Sequence, residues 1–142
     1  MDDISSNIDQ RLIEAYQATT YAVKALALAL RIGEKNRHLE EFLIDNNEYS
    51  FAFVSAYNPY SQPLSEMENK ARHLQLITWL KAKGFRYKTG YGIPDDSSWF
   101  PEKSVLILGI SKKKAKELGN ELEQNAVIFG ILGKAPELVL LR

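Results

Sequence analysis

At 142 residues, with 45% hydrophobic and 25% charged side chains, the chain has the makeup of one soluble globular domain built on a single core. Eighteen basic residues balance eighteen acidic ones, so no global field points to nucleic acid, an anionic membrane or a polycation. The absence of cysteine excludes disulfides, a thiolate nucleophile and cysteine-held zinc, and two histidines, His38 and His73, leave little for a histidine-rich metal site.

The start of the chain, Met-Asp-Asp-Ile-Ser-Ser-Asn, is acidic and polar, unlike a signal or transit peptide, and Ala25 to Leu30 is far short of a membrane span. The expectation is a cytoplasmic domain over 1–142 with a frayed start over residues 1–6. Ser6 or Asn7 is placed to cap a helix over Ile8 to Gln17, where Ile8, Leu12 and Ala15 or Tyr16 recur on one face. Thr20 to Ile32 reads as a strand through Tyr21, Val23, Leu26, Leu28 and Leu30, opened by Thr19-Thr20-Tyr21 and closed by Gly33; its alanines equally allow a helix. Asn36 caps a short helix, Arg37 to Ile44, with Leu39, Phe42 and Leu43 inward.

Tyr49 to Val54 is aromatic and branched, a buried strand that stops at a polar loop, Ser55-Ala56-Tyr57-Asn58-Pro59-Tyr60-Ser61. Asn58-Pro59 favours a turn, because proline pushes the preceding residue out of the helical region. Ser65 stands three residues before Glu68, the capping-box spacing, and opens a helix from Glu66 to Lys83 that ends at Gly84. The inner stripe of that helix is Leu76, Ile77 and Leu80; stepping back by three or four residues reaches His73, Asn69 and Glu66, so polar groups continue the buried face toward the loop. A strand, a loop and a helix N-terminus in this order make a crevice suited to a ligand, and equally an ordinary capped turn in which Asn69 and Arg72 hold the loop carbonyls.

Phe85 to Ile93 reads as a strand with a bend or bulge at Gly90 and Gly92, followed by the loop Pro94-Asp95-Asp96-Ser97-Ser98 and by Trp99-Phe100-Pro101. Ser104 to Ile110 is a central strand, and Ser111 caps the next helix, with Lys112, Lys113, Lys114 and Lys116 crowded at its start as a solvated face. Gln124 to Leu132 and Glu137 to Leu141 supply the last strands. Gly90-Tyr91-Gly92 lacks the remainder of a dinucleotide fingerprint, and Gly130-Ile131-Leu132-Gly133-Lys134 lacks the Walker spacing. Asp95 and Asp96 beside Glu102 read as turn formers before they read as ligands of a hard cation, so no metal is assigned. Ser61 or Ser65 with His73 lacks the context of a nucleophile.

The landmarks Ala18-Thr19-Thr20-Tyr21, Ala56-Tyr57-Asn58-Pro59-Tyr60-Ser61, Glu68-Asn69 with Arg72, Trp99, Pro101-Glu102-Lys103-Ser104, Gly109-Ile110 and Gln124-Asn125-Ala126 resemble the bacterial family called domain of unknown function 3293, from about Tyr16 to Glu137. The resemblance implies that Asn58, Ser61, Asn69, Arg72, Trp99, Glu102 and Gln124 are signature positions, and their polarity suits a site better than packing. Lys103 stands where a more acidic or apolar neighbour is expected, which weakens a carboxylate pair there.

These readings converge on an α/β domain, with α+β as the alternative: one layered unit with a mixed sheet of five or six strands and three or four helices. The expected function is a small-molecule site for an anionic or nucleotide-like ligand. It is formed by Asn58, Ser61, Asn69 and Arg72, with Trp99, Glu102 and Gln124 on the facing wall; Arg72 pairs with phosphate or carboxylate, Asn58 and Asn69 fix orientation, and Glu102 is the general base. Cofactor and oligomeric state are left unassigned. The rival is an interaction or regulatory domain anchored by exposed Tyr57, Tyr60, Trp99 and Phe100; nucleic-acid binding through Lys112 to Lys116 is disfavoured by the balanced charge.

Overall fold

A computed structural model describes residues 8–142. The frayed start expected at residues 1–6 lies outside them. The first helix, α1 (Gln10–Gln17), is capped not by Ser6 or Asn7 but by Asp9, whose carboxylate accepts the Arg11 N–H at 2.8 Å. The chain then forms β1 (Thr19–Val23), β2 (Leu28–Leu30), α2 (Arg37–Asp45), β3 (Ser50–Val54), α3 (Glu66–Lys83), β4 (Tyr87–Pro94), β5 (Glu102–Leu108), α4 (Lys112–Glu121), β6 (Ala126–Ile131) and β7 (Glu137–Leu140).

Among the described residues the fold is α+β: four α-helices on a sheet of seven strands in the order β2-β1-β4-β5-β3-β6-β7, every adjacent pair antiparallel. This corrects the expected mixed sheet of five or six strands. The single strand expected over Thr20 to Ile32 is a hairpin: Lys24–Leu26 form a tight 3-10 turn, Ala27 takes φ 54°, and the chain returns to pair Tyr21 with Leu30 and Val23 with Leu28. The alternation of apolar residues runs through both arms without a Gly or Asn to mark the reversal, so the pattern reads as one strand. The pairs β1–β2, β4–β5 and β6–β7 are sequence neighbours, and β3 is inserted between β5 and β6.

Strand alternation sends two sets of side chains to opposite faces of the sheet. Ala52, Val54, Val105 and Ile107 point to one face and are covered by Leu76 and Leu80 of α3 and by Ala115 and Leu118 of α4. Phe51, Phe53, Leu106 and Ile128 point to the other, with Tyr21, Val23 and Leu30, and are covered by Leu39 and Leu43 of α2. Ser65 and Glu68 close a full capping box at the start of α3, and Gly84 ends it at φ 78°. No described helix is long and apolar enough to cross a membrane.

The two glycines of β4 make no bulge against β5, since the register runs unbroken from Tyr87↔Ile107 to Gly92↔Glu102. They leave its inner face bare. At Gly90 a Cβ would run into the Ala22 carbonyl and meet Phe53 at 3.2 Å, so a close approach requires the glycine. Gly92 lies in one cross-strand row between Tyr21 and Glu102, and here a side chain is simply missing from the floor.

Candidate functional site

The bare part of the sheet opens into a cleft of about 600 Å³. Its walls are Leu12, Ala15 and Tyr16 of α1 and the loop from Pro94 to Phe100; its floor is Tyr21, Phe53, Ser55, Glu102 and Ser104. α1 carries an apolar face yet buries none of its residues fully, because that face looks into the cleft rather than onto packed side chains.

The loop after β3 is shaped by three non-glycine residues in the left-handed region, Asn58 (φ 48°), Tyr60 (φ 51°) and Ser61 (φ 61°). Each such residue costs on the order of 1 kcal/mol or more, so the surroundings must hold them. The Asn58 N–H donates to Asn69 Oδ1 at 2.9 Å, and Asn58 Oδ1 accepts from Asn69 Nδ2 at 2.8 Å and from the Leu64 N–H at 3.0 Å. The Tyr60 N–H donates to the Glu123 carbonyl at 2.7 Å, and the Arg142 guanidinium lies over the Tyr60 ring, 4.3 Å from its centre. Ser61 Oγ accepts from Asn125 Nδ2 at 3.0 Å, and Asn125 in turn accepts from Arg142 at 3.2 Å.

The remaining donor of Asn58 is used on the cleft side: Nδ2 donates to Glu102 Oε2 at 2.9 Å. Burial pushes the Glu102 carboxyl above its ordinary value, and the Asn58 bond opposes the shift without cancelling it. The Tyr16 hydroxyl reaches Ser61 and Asn125, and burial raises it too, with Glu102 adding to the effect. A carboxyl and a phenol thus line the same cleft, and burial disfavours the charged form of each.

Of the seven residues expected from the sequence, Asn58, Ser61, Trp99, Glu102 and Gln124 line the cleft and Asn69 and Arg72 do not. Asn69 is buried and bonded to Asn58 through both side-chain atoms. Arg72 donates from Nε to the Ala56 carbonyl at 2.6 Å, from one terminal nitrogen to the Leu122 carbonyl and from the other to Glu123 at 3.4 Å. Its guanidinium ties the β3 loop to the turn before β6, the holding role that the sequence left open. Gln124 Nε2 donates to the Tyr57 carbonyl at 3.0 Å and fixes the same loop from below.

The aromatic anchors separate. Tyr57 is buried, which corrects its expected exposure, and Tyr60 lies against Arg142, while Trp99 and Phe100 stand at the cleft mouth, 59% and 89% exposed. Asp95 pairs with Arg31 at 3.0 Å, and Asp96 accepts from the Ser98 N–H and hydroxyl in a local turn. Among the described residues no group of three or more His, Asp or Glu is gathered to hold a metal ion. His73 is buried on the inner face of α3, on the opposite side of the sheet from the cleft; burial, with Lys103 adding to it, pushes its imidazole below the ordinary value. Lys112, at the start of α4, pairs with Glu137 at 3.0 Å.

Sequence reasoning missed the wall supplied by α1, above all Tyr16, and the floor residue Tyr21. The signal was present in the helical recurrence of Leu12 with Ala15 and Tyr16, which is indistinguishable in one dimension from a stripe that packs onto a core.

No curated protein and no solved structure matches the chain. The family described as "Protein of unknown function (DUF3293)" matches residues 54–127, from the end of β3 to the start of β6. That span is just over half of the chain and holds the β3 loop, Arg72, Trp99, Glu102 and Gln124, while α1 lies outside it. The chain belongs to the DUF3293 family of proteins of unknown function.

Proposed function

We propose that this chain binds a small organic molecule in the cleft between α1 and the sheet, with Glu102 as its polar anchor. One observation carries the reading: a half-buried carboxyl that no described cation pairs with, held by Asn58 on the floor of an apolar cavity of about 600 Å³. A cavity of roughly 300–1,000 Å³ with few convergent polar groups has the form of a small-molecule site. The left-handed residues of the β3 loop support the reading, because backbone strain concentrates at sites. If chemistry follows binding, Glu102 is the group suited to take or give a proton, since its raised value lies nearer neutrality than that of an ordinary carboxyl. A chain without cysteine suits a reducing cytoplasm.

The anionic or nucleotide-like ligand expected from the sequence rested on Arg72, whose donors are taken up by Ala56, Leu122 and Glu123. The proposal therefore keeps the small molecule and drops the arginine clamp. An interaction domain is the weaker reading, because of its four expected anchors Tyr57 is buried, Tyr60 lies under Arg142, and the two most exposed, Trp99 and Phe100, line the cleft.

A fragment screen read by amide chemical shifts tests the proposal, run in parallel on Gly92→Leu. A Cβ at Gly92 meets nothing closer than 3.7 Å, so the longer side chain fills the cleft without breaking the sheet. Hits should move the amides around Tyr16, Trp99 and Glu102 and lose binding in the variant. Hits that cluster elsewhere, or that bind Gly92→Leu equally, reject the cleft.

A further inference from the structure

We propose that the molecule bound in this cleft is an organic cation: an amine, amidine or guanidine carried on a flat apolar body. The inference rests on the cleft being a small-molecule site and adds the class of ligand.

Charge is the first support. Among the described residues, the side chains that line the cleft include the carboxyl groups of Glu14, Asp95, Asp96 and Glu102 and one basic group, Arg11, with no lysine or histidine. Arg11 is bound to Asp9 at 3.2 Å and lies 89% exposed at the rim, so its charge is answered by Asp9 and by water. Arg31 answers Asp95. Among the described residues Glu14, Asp96 and Glu102 have no ion pair, and an anion entering the cleft would meet like charge in a poorly solvated space.

The acceptor on the floor is the second. A carboxylate has about four acceptor positions, and Glu102 uses one of them on Asn58. The titratable groups that face it are the hydroxyls of Tyr16 from α1, Tyr21 from β1 and Tyr57 from the loop, and none carries positive charge. A ligand ammonium or guanidinium would supply the donor and the counter-charge together, a charge-assisted bond.

The shape and chemistry of the walls are the third. Tyr21 and Phe53 meet edge to face at 5.4 Å on the floor, and Trp99 and Phe100 stand exposed at the mouth. Aromatic rings on the floor and at the mouth, with a carboxylate among them, supply the groups that recognise an organic cation through cation–π contact and an ion pair. An apolar body would cover two aromatic side chains that otherwise face water.

The test uses three probes with one body and three charges: 2-naphthylmethylamine, 2-naphthylmethanol and 2-naphthoate. Each is titrated against the full chain with amide shifts as the readout. The amine should bind about tenfold tighter than the alcohol, and the alcohol tighter than the acid. In Glu102→Gln the lead of the amine over the alcohol should fall below about threefold, and Trp99→Ala should weaken all three, the amine most. An amine no tighter than the alcohol, or equally tight in Glu102→Gln, overturns the cation while the cleft reading stands. If none of the three moves the amides around Trp99 and Glu102, the cleft reading falls and the cation with it.

Discussion

Asn58 and Glu102, 44 residues apart in the chain, meet through a bond of 2.9 Å from the asparagine amide to the carboxylate. The same asparagine is the most heavily bonded residue of the β3 loop, with Asn69 and Leu64 satisfying its other polar atoms. The loop conformation and the orientation of the carboxyl are therefore one arrangement. Asn58→Asp keeps the size and the tolerance of the left-handed region but turns the donor into a second carboxylate against Glu102. Two carboxylates in contact do not both ionise without cost, so the variant should lose stability, by about 2 kcal/mol at pH 8, with most of the loss recovered at pH 4. Urea unfolding at the two pH values measures it; an equal loss at both would show that the bond from Asn58 to Glu102 contributes little.

Glu102→Gln should do the opposite. Burial raises the Glu102 carboxyl above its ordinary value of 4.5, so the folded chain holds the proton at pH values where the unfolded chain has released it. Stability then declines as the pH rises from the ordinary value through the raised one, and the full penalty is present above the latter. Glutamine carries no charge to bury and still accepts from Asn58. The variant should melt higher than the native chain at pH 8, with the difference vanishing toward pH 4. A Tm difference that is flat across this range would mean that Glu102 is solvated rather than buried.

Arg72 is a structural residue, and its removal should be read that way. Lysine at this position reaches one oxygen as a point charge and cannot bridge the Ala56 and Leu122 carbonyls and the Glu123 carboxylate. Arg72→Lys should cost about 2–4 kcal/mol in chemical denaturation, from hydrogen bonds made by a charged group. A thermal-shift comparison on Arg72→Ala would report this loss whatever ligand was present, so the cleft must be probed through Glu102 and Gly92 instead. A variant as stable as the native chain would contradict the three bonds.

Local chemistry made much of the frame legible. The capping box at Ser65 and Glu68, the Asn36 cap of α2, the Ser111 cap of α4 and the stop at Gly84 are each decided within a few residues, and each stands where its side chains require. The polar continuation of the α3 stripe was equally readable, and Asn69 and His73 are indeed buried. Direction was not readable: the hydrogen-bond donors of Arg72 and Asn69 reach backbone and side-chain partners up to 51 residues away, and no spacing in the sequence says whether a polar group is used by the fold or offered to a ligand. The α1 wall was hidden for a related reason, since a helix facing a cavity and a helix facing a core show the same period. The hairpin at Ala27 was hidden because an alanine in the left-handed region leaves no mark on composition.

Gly90 and Gly92 are alike in sequence and opposite in structure, which makes them the sharpest check on the placement of the cleft. At Gly90 an added Cβ collides with the backbone carbonyl of Ala22 and lies 3.1 Å from Val23 and 3.2 Å from Phe53, and a backbone atom in a central strand cannot step aside. Gly90→Ala should therefore cost about 3 kcal/mol, through separation of β1 from β4. At Gly92 the nearest atoms are ordinary contacts at 3.7 Å from Thr19 and Tyr21, and the unfolded chain loses conformational freedom on substitution, so Gly92→Ala should be neutral or stabilise by up to about 1 kcal/mol. The floor between Tyr21 and Glu102 would nonetheless rise by one methyl group, and any ligand seated there should bind less tightly to Gly92→Ala. Denaturation midpoints and fragment titrations on the two variants test this directly. If Gly92→Ala unfolds the chain as readily as Gly90→Ala, the space above Gly92 is occupied by protein, and the cleft is shallower at its floor than the bare face of β4 implies.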